Sequence, residues 1–188
     1  MGEPARRFAD FLQQAGQACW QLLPVCPTSY GDSPYQAFST YAGNPYFIDL
    51  DELERQGYLR REEYENIDWE CGPDRINYGV LYETRYPILR KAAERFRENP
   101  PGDYETFCRE NARWLDDYAC FMALKDAHGG APWFDWEPAL RNREEQALEE
   151  ACARYAEQIE FWKICQYLFF EQGKALRSYV NERGIRII

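Results

Sequence analysis

The sequence predicts an α/β protein in which two parallel strands are separated by a large, mainly helical insertion. Three observations carry this. The apolar run "ACWQLLPV", Ala18–Val25, reads as a buried strand, and "GIRII", Gly184–Ile188, reads as the start of a second. Between them the apolar residues recur at steps of three and four, the helical period, and a parallel pair needs a long crossover.

The elements follow in order. Pro4 suits the first position of a helix, with Phe8, Phe11 and Leu12 as its apolar stripe and Gly16 as its stop. After the first strand, Asp49 is an expected N-cap with Glu52 as its capping-box partner, and Gly57 ends that short helix. "EYENIDWECGPDRINYG" reads as turns. Leu81–Arg97 is helical, with Pro87 near the first turn or at a kink. Asp103 caps a helix reaching about Ala127, with Phe107, Ala112, Leu115, Tyr118, Ala119 and Met122 inward. It ends at His128-Gly129-Gly130. "APWFDWEPALR" is a loop or a short helical turn, and Asn142 with Glu145 makes another capping box. A long pattern then runs from Arg143 to Asn181, with a bend expected near Gln172-Gly173.

Composition narrows the function classes. The chain has 188 residues and a net charge of −10, which argues against nucleic acid, since polyphosphate binding needs a basic footprint. No apolar run is long enough to span a bilayer and the N-terminus lacks a signal-peptide core, so the expected location is cytoplasmic. The seven cysteines are scattered singly, which predicts reduced, buried thiols. With one histidine and no paired cysteine spacing, no metal site is expected. Aromatic residues reach 16%, and an acidic, Tyr- and Trp-rich surface suits a neutral, polyhydroxylated ligand.

The candidate site is the segment after the first strand, "CPTSYGDSPYQAFSTYAGNPYFIDL". In parallel α/β folds the loops leaving the C-terminal strand ends hold the active site. Pro27, Gly31 and Pro34 fix an irregular path, and Asp32 and Ser33 can hydrogen-bond backbone amides to hold a turn. Tyr30, Tyr35, Tyr41 and Tyr46 offer flat apolar faces with a hydroxyl at the rim, the surface that complements a sugar. Asp32 reads as a turn-former first and as a site residue second. Ser33 has no histidine or lysine beside it and is no nucleophile. Tyr41 and Tyr46 read as packing residues, and His128 as a cation favoured at a helix C-terminus. The 32 acidic residues contain no pair that spacing singles out as a glycosidase acid and nucleophile.

"WQLLPVCPTSYGDSPYQAFSTYAGNPYFIDL" resembles the signature segment of the amylomaltases, the 4-α-glucanotransferases also called disproportionating enzymes. "ARRFADFLQQAGQACWQLLP", "NARWLDDYACFMALKDAHGGAPWFDWEPALR" and "FFEQGKALRSYVNERGIRII" are similar to that family too, so the resemblance covers essentially the whole chain. It implies an α-amylase-like (β/α)8 TIM barrel, incomplete here, with a helical insertion. Residues 1–30 would be barrel helix and strand, 31–140 the loop and insertion, and 141–188 a long barrel helix with the start of the next strand. It further implies retaining transfer of an α-1,4-glucan segment to the 4-OH of another glucan or glucose, in starch, glycogen or maltodextrin metabolism, without a cofactor.

Carried over residue by residue, Tyr35 resembles the tyrosine lining the donor site. Asp32 and Ser33 match the turn that holds it, with Ser33 also able to touch sugar hydroxyls. Tyr30 and Tyr82 resemble an aromatic pair that forms an accessory glucan site. The family's catalytic acids lie near an Arg-Ile-Asp-His motif that this sequence does not contain. The chain is therefore expected to be a fragment with substrate-lining residues and no catalytic residue, inactive alone. The rival expectation is a non-catalytic glucan-binding or helical interaction module. The expected partners are α-1,4-glucan or maltooligosaccharide, and the rest of the barrel or a second copy at the strand edges.

Overall fold

The two strands pair as the sequence predicts. The computed structural model describes residues 1–29, 31–70, 72 and 75–188. In it Cys19–Trp20 (β1) and Arg186–Ile187 (β2) are parallel neighbours, with Cys19 opposite Arg186 and Trp20 opposite Ile187. The ladder extends one bond further, Leu22 N–H to the Ile188 carbonyl at 2.8 Å. Two expectations are corrected. The strands are far shorter than Ala18–Val25 and Gly184–Ile188, and they are not buried: Cys19 and Arg186 are exposed, as are Leu23 and Val25. An apolar run becomes a buried strand only when neighbours cover its edges and faces. Here Trp20 and Ile187 meet the cluster Ala9, Leu12, Leu176, Val180 and Ile185, and the described residues supply no further strand.

The described residues gather into two compact units, Met1–Pro100 with Cys165–Ile188, and Pro101–Ile164. In the first, helix α1 (Glu3–Gln14) has proline in its first turn and Gly16 at φ 69° just past its end. It buries Ala9 and Leu12, whereas Phe8 and Phe11 stay exposed, contrary to the expected stripe. A short helix with one packing partner buries one narrow stripe, and Phe8 instead lies edge-on to Trp20 at 5.1 Å. Asp10 ties α1 down by accepting from the Tyr179 hydroxyl at 2.9 Å and from Arg183.

Asp49 caps α2 (Leu50–Arg55), its Oδ1 accepting from Glu52 N–H at 2.9 Å, and Gly57 at φ 81° ends it. The box is not reciprocal, however: the Asp49 N–H goes to Gln172 rather than to Glu52. Of the stretch expected to be turns, residues Cys71, Pro73 and Asp74 lie outside the described residues. Helix α3 (Tyr78–Glu98) starts three residues earlier than expected, at the Asn77 cap, so Pro87 sits inside it instead of in its first turn.

Arg95 on α3 grips Glu63 with two bonds, 2.7 and 2.8 Å, while the Arg60 N–H adds a third at 2.8 Å. The guanidinium holds the Glu63 carboxyl down at about 2, well below its usual 4.5. A depressed carboxylate stabilises the fold fully above its unfolded value, and that contribution fades as pH falls through 4.5 towards 2. Arg95→Ala should therefore cost about 1–2 kcal/mol at pH 7, and much less at pH 2.5, in urea titrations at both pH values. An equal loss at both would show that the arginine acts by packing alone.

The second unit begins with α4 (Tyr104–Ala127). Its Asp103 occupies the N-cap position but makes no side-chain cap bond, and Leu115, Tyr118, Ala119 and Met122 are buried as expected, with Phe107 and Ala112 half-buried. "APWFDWEPALR" forms a 3-10 turn, Trp133–Asp135, and a one-turn helix α5 (Pro138–Arg141). The expected Asn142–Glu145 box does not form, because Asn142 is the C-cap of α5 and α6 (Glu145–Arg154) starts after Glu144. The long helix is interrupted at Tyr155, where φ and ψ are −108° and 25°, and not at Gln172-Gly173. From there α7 (Ala156–Glu182) is unbroken. Leu124, Trp136 and Ala151 form one buried cluster of this unit, flanked by Phe121, Leu140, Leu148 and Tyr155. His128 does sit at the α4 C-terminus, bonded to the Leu124 carbonyl and to Glu137, each at 2.7 Å. The Glu137 carboxylate raises its pKa. The cysteines are less buried than expected: Cys165 alone among the described six is buried, and Cys19 is exposed. Among the described residues no helix is long and apolar enough to cross a membrane.

Candidate functional site

The segment after β1 is a small hairpin on a rigid footing. Thr28 and Ala37 form an antiparallel bridge, closed by Ser29 N–H to Gln36 O at 3.1 Å and Phe38 N–H to Pro27 O at 3.4 Å. Two turns make its tip. One is closed by Asp32 N–H to Ser29 O, the other by Gln36 N–H to Ser33 O. Asp32 takes the left-handed conformation, φ 57°, a region aspartate tolerates better than most side chains. The Ser33 hydroxyl accepts from the Tyr35 N–H at 3.3 Å. Both residues thus shape the turn, Asp32 through its backbone and Ser33 through its side chain. Their placement leaves the Tyr35 ring 75% exposed.

The footing is the stretch Gly43–Asp49, held by two glutamines of α7. Gln166 is fully buried; its Oε1 accepts from the Gly43 N–H at 2.7 Å and its Nε2 donates to the Gly43 carbonyl at 2.9 Å. Gln172 treats Asp49 the same way, at 2.7 and 3.1 Å. Each carboxamide satisfies both backbone groups of one residue, which suits a segment that has left the ladder. Gly43 is needed for the approach: a Cβ there would fall 2.0 Å from the Phe169 ring. Asn44 caps the 3-10 turn Pro45–Phe47 by accepting from the Tyr46 N–H. Arg85 of α3, buried, donates to the Ile48 carbonyl and at 3.4 Å to that of Tyr46. Burial pushes its pKa down to about 10, with Asp49 opposing.

A tyrosine cluster lies beside the hairpin. Tyr46 packs on Tyr86 with centroids 5.7 Å apart, and Tyr86 on Tyr82 at 5.8 Å, edge to face. Burial pushes the Tyr46 hydroxyl up to about 12, a Tyr86 hydrogen bond pulls it back, and the charge of Asp32 and the Tyr82 and Tyr78 hydroxyls add to the rise. Asp32 and the start of α3 therefore face the same tyrosine. Tyr82 is 60% exposed at the cluster's outer end.

Of the five residues expected to bind substrate, Asp32, Ser33 and Tyr35 share the hairpin tip, and Tyr82 presents its ring from α3. Tyr30 lies outside the described residues. Asp32, Ser33, Tyr35 and Tyr82 do not line the open cavity of about 370 Å³ that is bounded by Met1, Tyr46, Asp49, Tyr64, Trp69 and Arg85. Tyr35 and Tyr82 are exposed rather than set in that cavity. Sequence reasoning missed Gln166, Gln172 and Arg85. The available signal was weak: two glutamines in the mostly apolar "FWKICQYLFFEQGKAL", which also carries Lys163, Glu171 and Lys174. Among the described residues no group of three or more His, Cys, Asp or Glu side chains could hold a metal ion.

Comparison with known proteins agrees along the whole chain. A family model described as 4-alpha-glucanotransferase matches residues 1–188. The chain is 48% identical over 192 residues to the 4-alpha-glucanotransferase of Thermus thermophilus, covering all of this chain and 37% of that protein. It is 41% identical over 187 residues to the Clostridium butyricum enzyme of the same name, covering 38% of it. Among solved structures, the amylomaltase of Streptococcus agalactiae, in complex with acarbose, matches with a TM-score of 0.95 and 38% identity over 99% of this chain and 38% of that one. The chain thus spans little more than a third of the length of these relatives.

Proposed function

Because the chain belongs to the 4-alpha-glucanotransferase family, we propose that it forms a substrate-lining part of an enzyme that transfers a segment of an α-1,4-glucan to the 4-OH of another glucan or of glucose. In this reading β1 and β2 are neighbouring strands of a (β/α)8 barrel. Residues 31–140 carry the loop and insertion, and the rest of the barrel covers the strand edges that would otherwise invite a second copy. The location is cytoplasmic and the physiological donor is starch, glycogen or maltodextrin.

The single observation that carries the reading is the hairpin leaving the C-terminal end of β1, clamped at its base and presenting an exposed Tyr35 at its tip. A face of a barrel where strands end is where substrate is handled. Tyr35 stacks on a glucosyl ring at the donor side, Ser33 and Asp32 hold it there, and Tyr30 with Tyr82 receives a more distant stretch of glucan. None of these side chains supplies the chemistry. Retaining transfer needs a nucleophilic carboxylate and a protonated carboxyl about 5–5.5 Å apart, and those acids lie outside this sequence.

The test is a graft. Purified alone, the chain should release no glucose from maltotriose and build no longer maltodextrins. Exchanged for the corresponding third of the Thermus thermophilus relative, it should restore both. Turnover by the 188-residue chain itself would place catalytic acids within it. A folded but inert graft would favour a non-catalytic glucan-binding module.

A further inference from the structure

The second unit brings two cysteines from different helices into contact. Cys120 on α4 and Cys152 on α6 have their sulfurs 3.1 Å apart, 32 residues apart in sequence; both are half-buried, and Cys120 packs against the Leu124, Trp136 and Ala151 cluster. A disulfide bond is about 2.05 Å long, so a shift of about 1 Å closes it. Nothing in the glucan-handling surface uses these residues.

We propose that Cys120 and Cys152 are a reversible thiol–disulfide modification site whose co-reactant is a low-molecular-weight disulfide of the glutathione class. Burial, together with the adjacent Cys152 sulfur, pushes the Cys120 thiol up; Arg143 opposes this and Asp117 adds to it. Arg143 is itself bonded to Asp117 at 2.7 Å. One sulfur of the pair, having lost its proton to water, attacks the small disulfide, forms a mixed disulfide and expels one small thiol. The other, already in contact, then loses its proton to water and attacks the first protein sulfur, expelling the second. The sum is one protein dithiol and one small disulfide giving one protein disulfide and two small thiols. The bond would staple α6 to α4 across the intervening loop, stiffening the helical unit.

The experiment incubates the purified chain with oxidised glutathione and reads peptide maps, free thiols and melting temperature. The wild type should yield a Cys120–Cys152 disulfide peptide, reversed by dithiothreitol, with a melting temperature raised by roughly 5–10 °C. Cys120→Ser and Cys152→Ser should each form no internal disulfide and show no rise in melting temperature, any glutathione adduct on the remaining cysteine of the pair staying unresolved. Absence of the Cys120–Cys152 peptide in the wild type overturns the proposal whether or not either variant folds. So does a rise in melting temperature on oxidation that the folded Cys120→Ser chain reproduces.

Discussion

Gln166→Leu should unfold the chain at markedly lower denaturant, with a loss of about 3 kcal/mol or more. The side chain is fully buried and its carboxamide is bonded to both the N–H and the carbonyl of Gly43. Leucine fills a similar volume but leaves both groups without a partner, and each buried, unpaired backbone group costs about 1–3 kcal/mol. A packing explanation is separated from this one by Gln166→Glu. At pH 7 that carboxylate would be a buried charge with no proton for the Gly43 carbonyl. On acidification it gains an O–H donor and the bidentate pattern returns. The folded-state pKa of such a carboxyl is raised, so its stability should recover as pH falls through that value, opposite in sign to the Glu63–Arg95 pair. Urea titrations at pH 7 and pH 5 read both. A loss under about 0.5 kcal/mol for Gln166→Leu would mean that water replaces the carboxamide and that the clamp holds nothing.

The same pair shows where the sequence stops being informative. Features set by neighbours in the chain are legible. Asp49 caps α2 because its carboxylate needs only the amide three residues on, and Gly57 ends that helix because a left-handed residue is wanted there. The parallel pairing of β1 with β2 is legible because a long helical crossover allows little else. What Asp49 does with its own N–H is not, since the acceptor is Gln172, 123 residues away. The break at Tyr155 gives no warning either: its neighbours are good helix formers, and it ends α6 without glycine or proline. Burial of β1 was misread for a related reason. "ACWQLLPV" has the composition of a covered strand, but covering depends on strands and helices that composition does not count.

The candidate site divides along the same line. Turn chemistry at Ser33 is local and legible, down to its hydroxyl accepting from a nearby amide, whereas Asp32 contributes through its backbone N–H and left-handed conformation. The company kept by Tyr82 was not. Its contact with Tyr86, and through it with Tyr46, joins α3 to the base of the hairpin and needs the fold to be seen. Tyr46 was expected to pack, and its buried hydroxyl is consistent with that role. Tyr35 is the contrast, a tyrosine whose ring the described fold leaves to solvent.

Tyr35→Ala should accordingly separate function from stability, and this is the largest catalytic effect expected of any residue here. In the graft with the Thermus thermophilus relative, kcat/KM for maltotriose disproportionation should fall roughly tenfold to a hundredfold. The ring is 75% exposed, and the hydrogen bond that positions the residue runs from its backbone N–H to Ser33, so truncating the side chain removes little native contact. The melting transition of the isolated chain should stay within about 0.5 kcal/mol of wild type. Tyr35→Phe should recover most of the activity if stacking carries the effect, and little of it if the hydroxyl does. Ser33→Ala leaves the ring intact but frees its backbone anchor, so it should lower kcat with a smaller change in KM, as loss of orientation does. An unchanged kcat/KM for Tyr35→Ala in a graft that folds and turns over would mean that the hairpin serves the fold alone. An equal loss of stability and activity would mean that the exposed ring is a packing residue in the assembled enzyme.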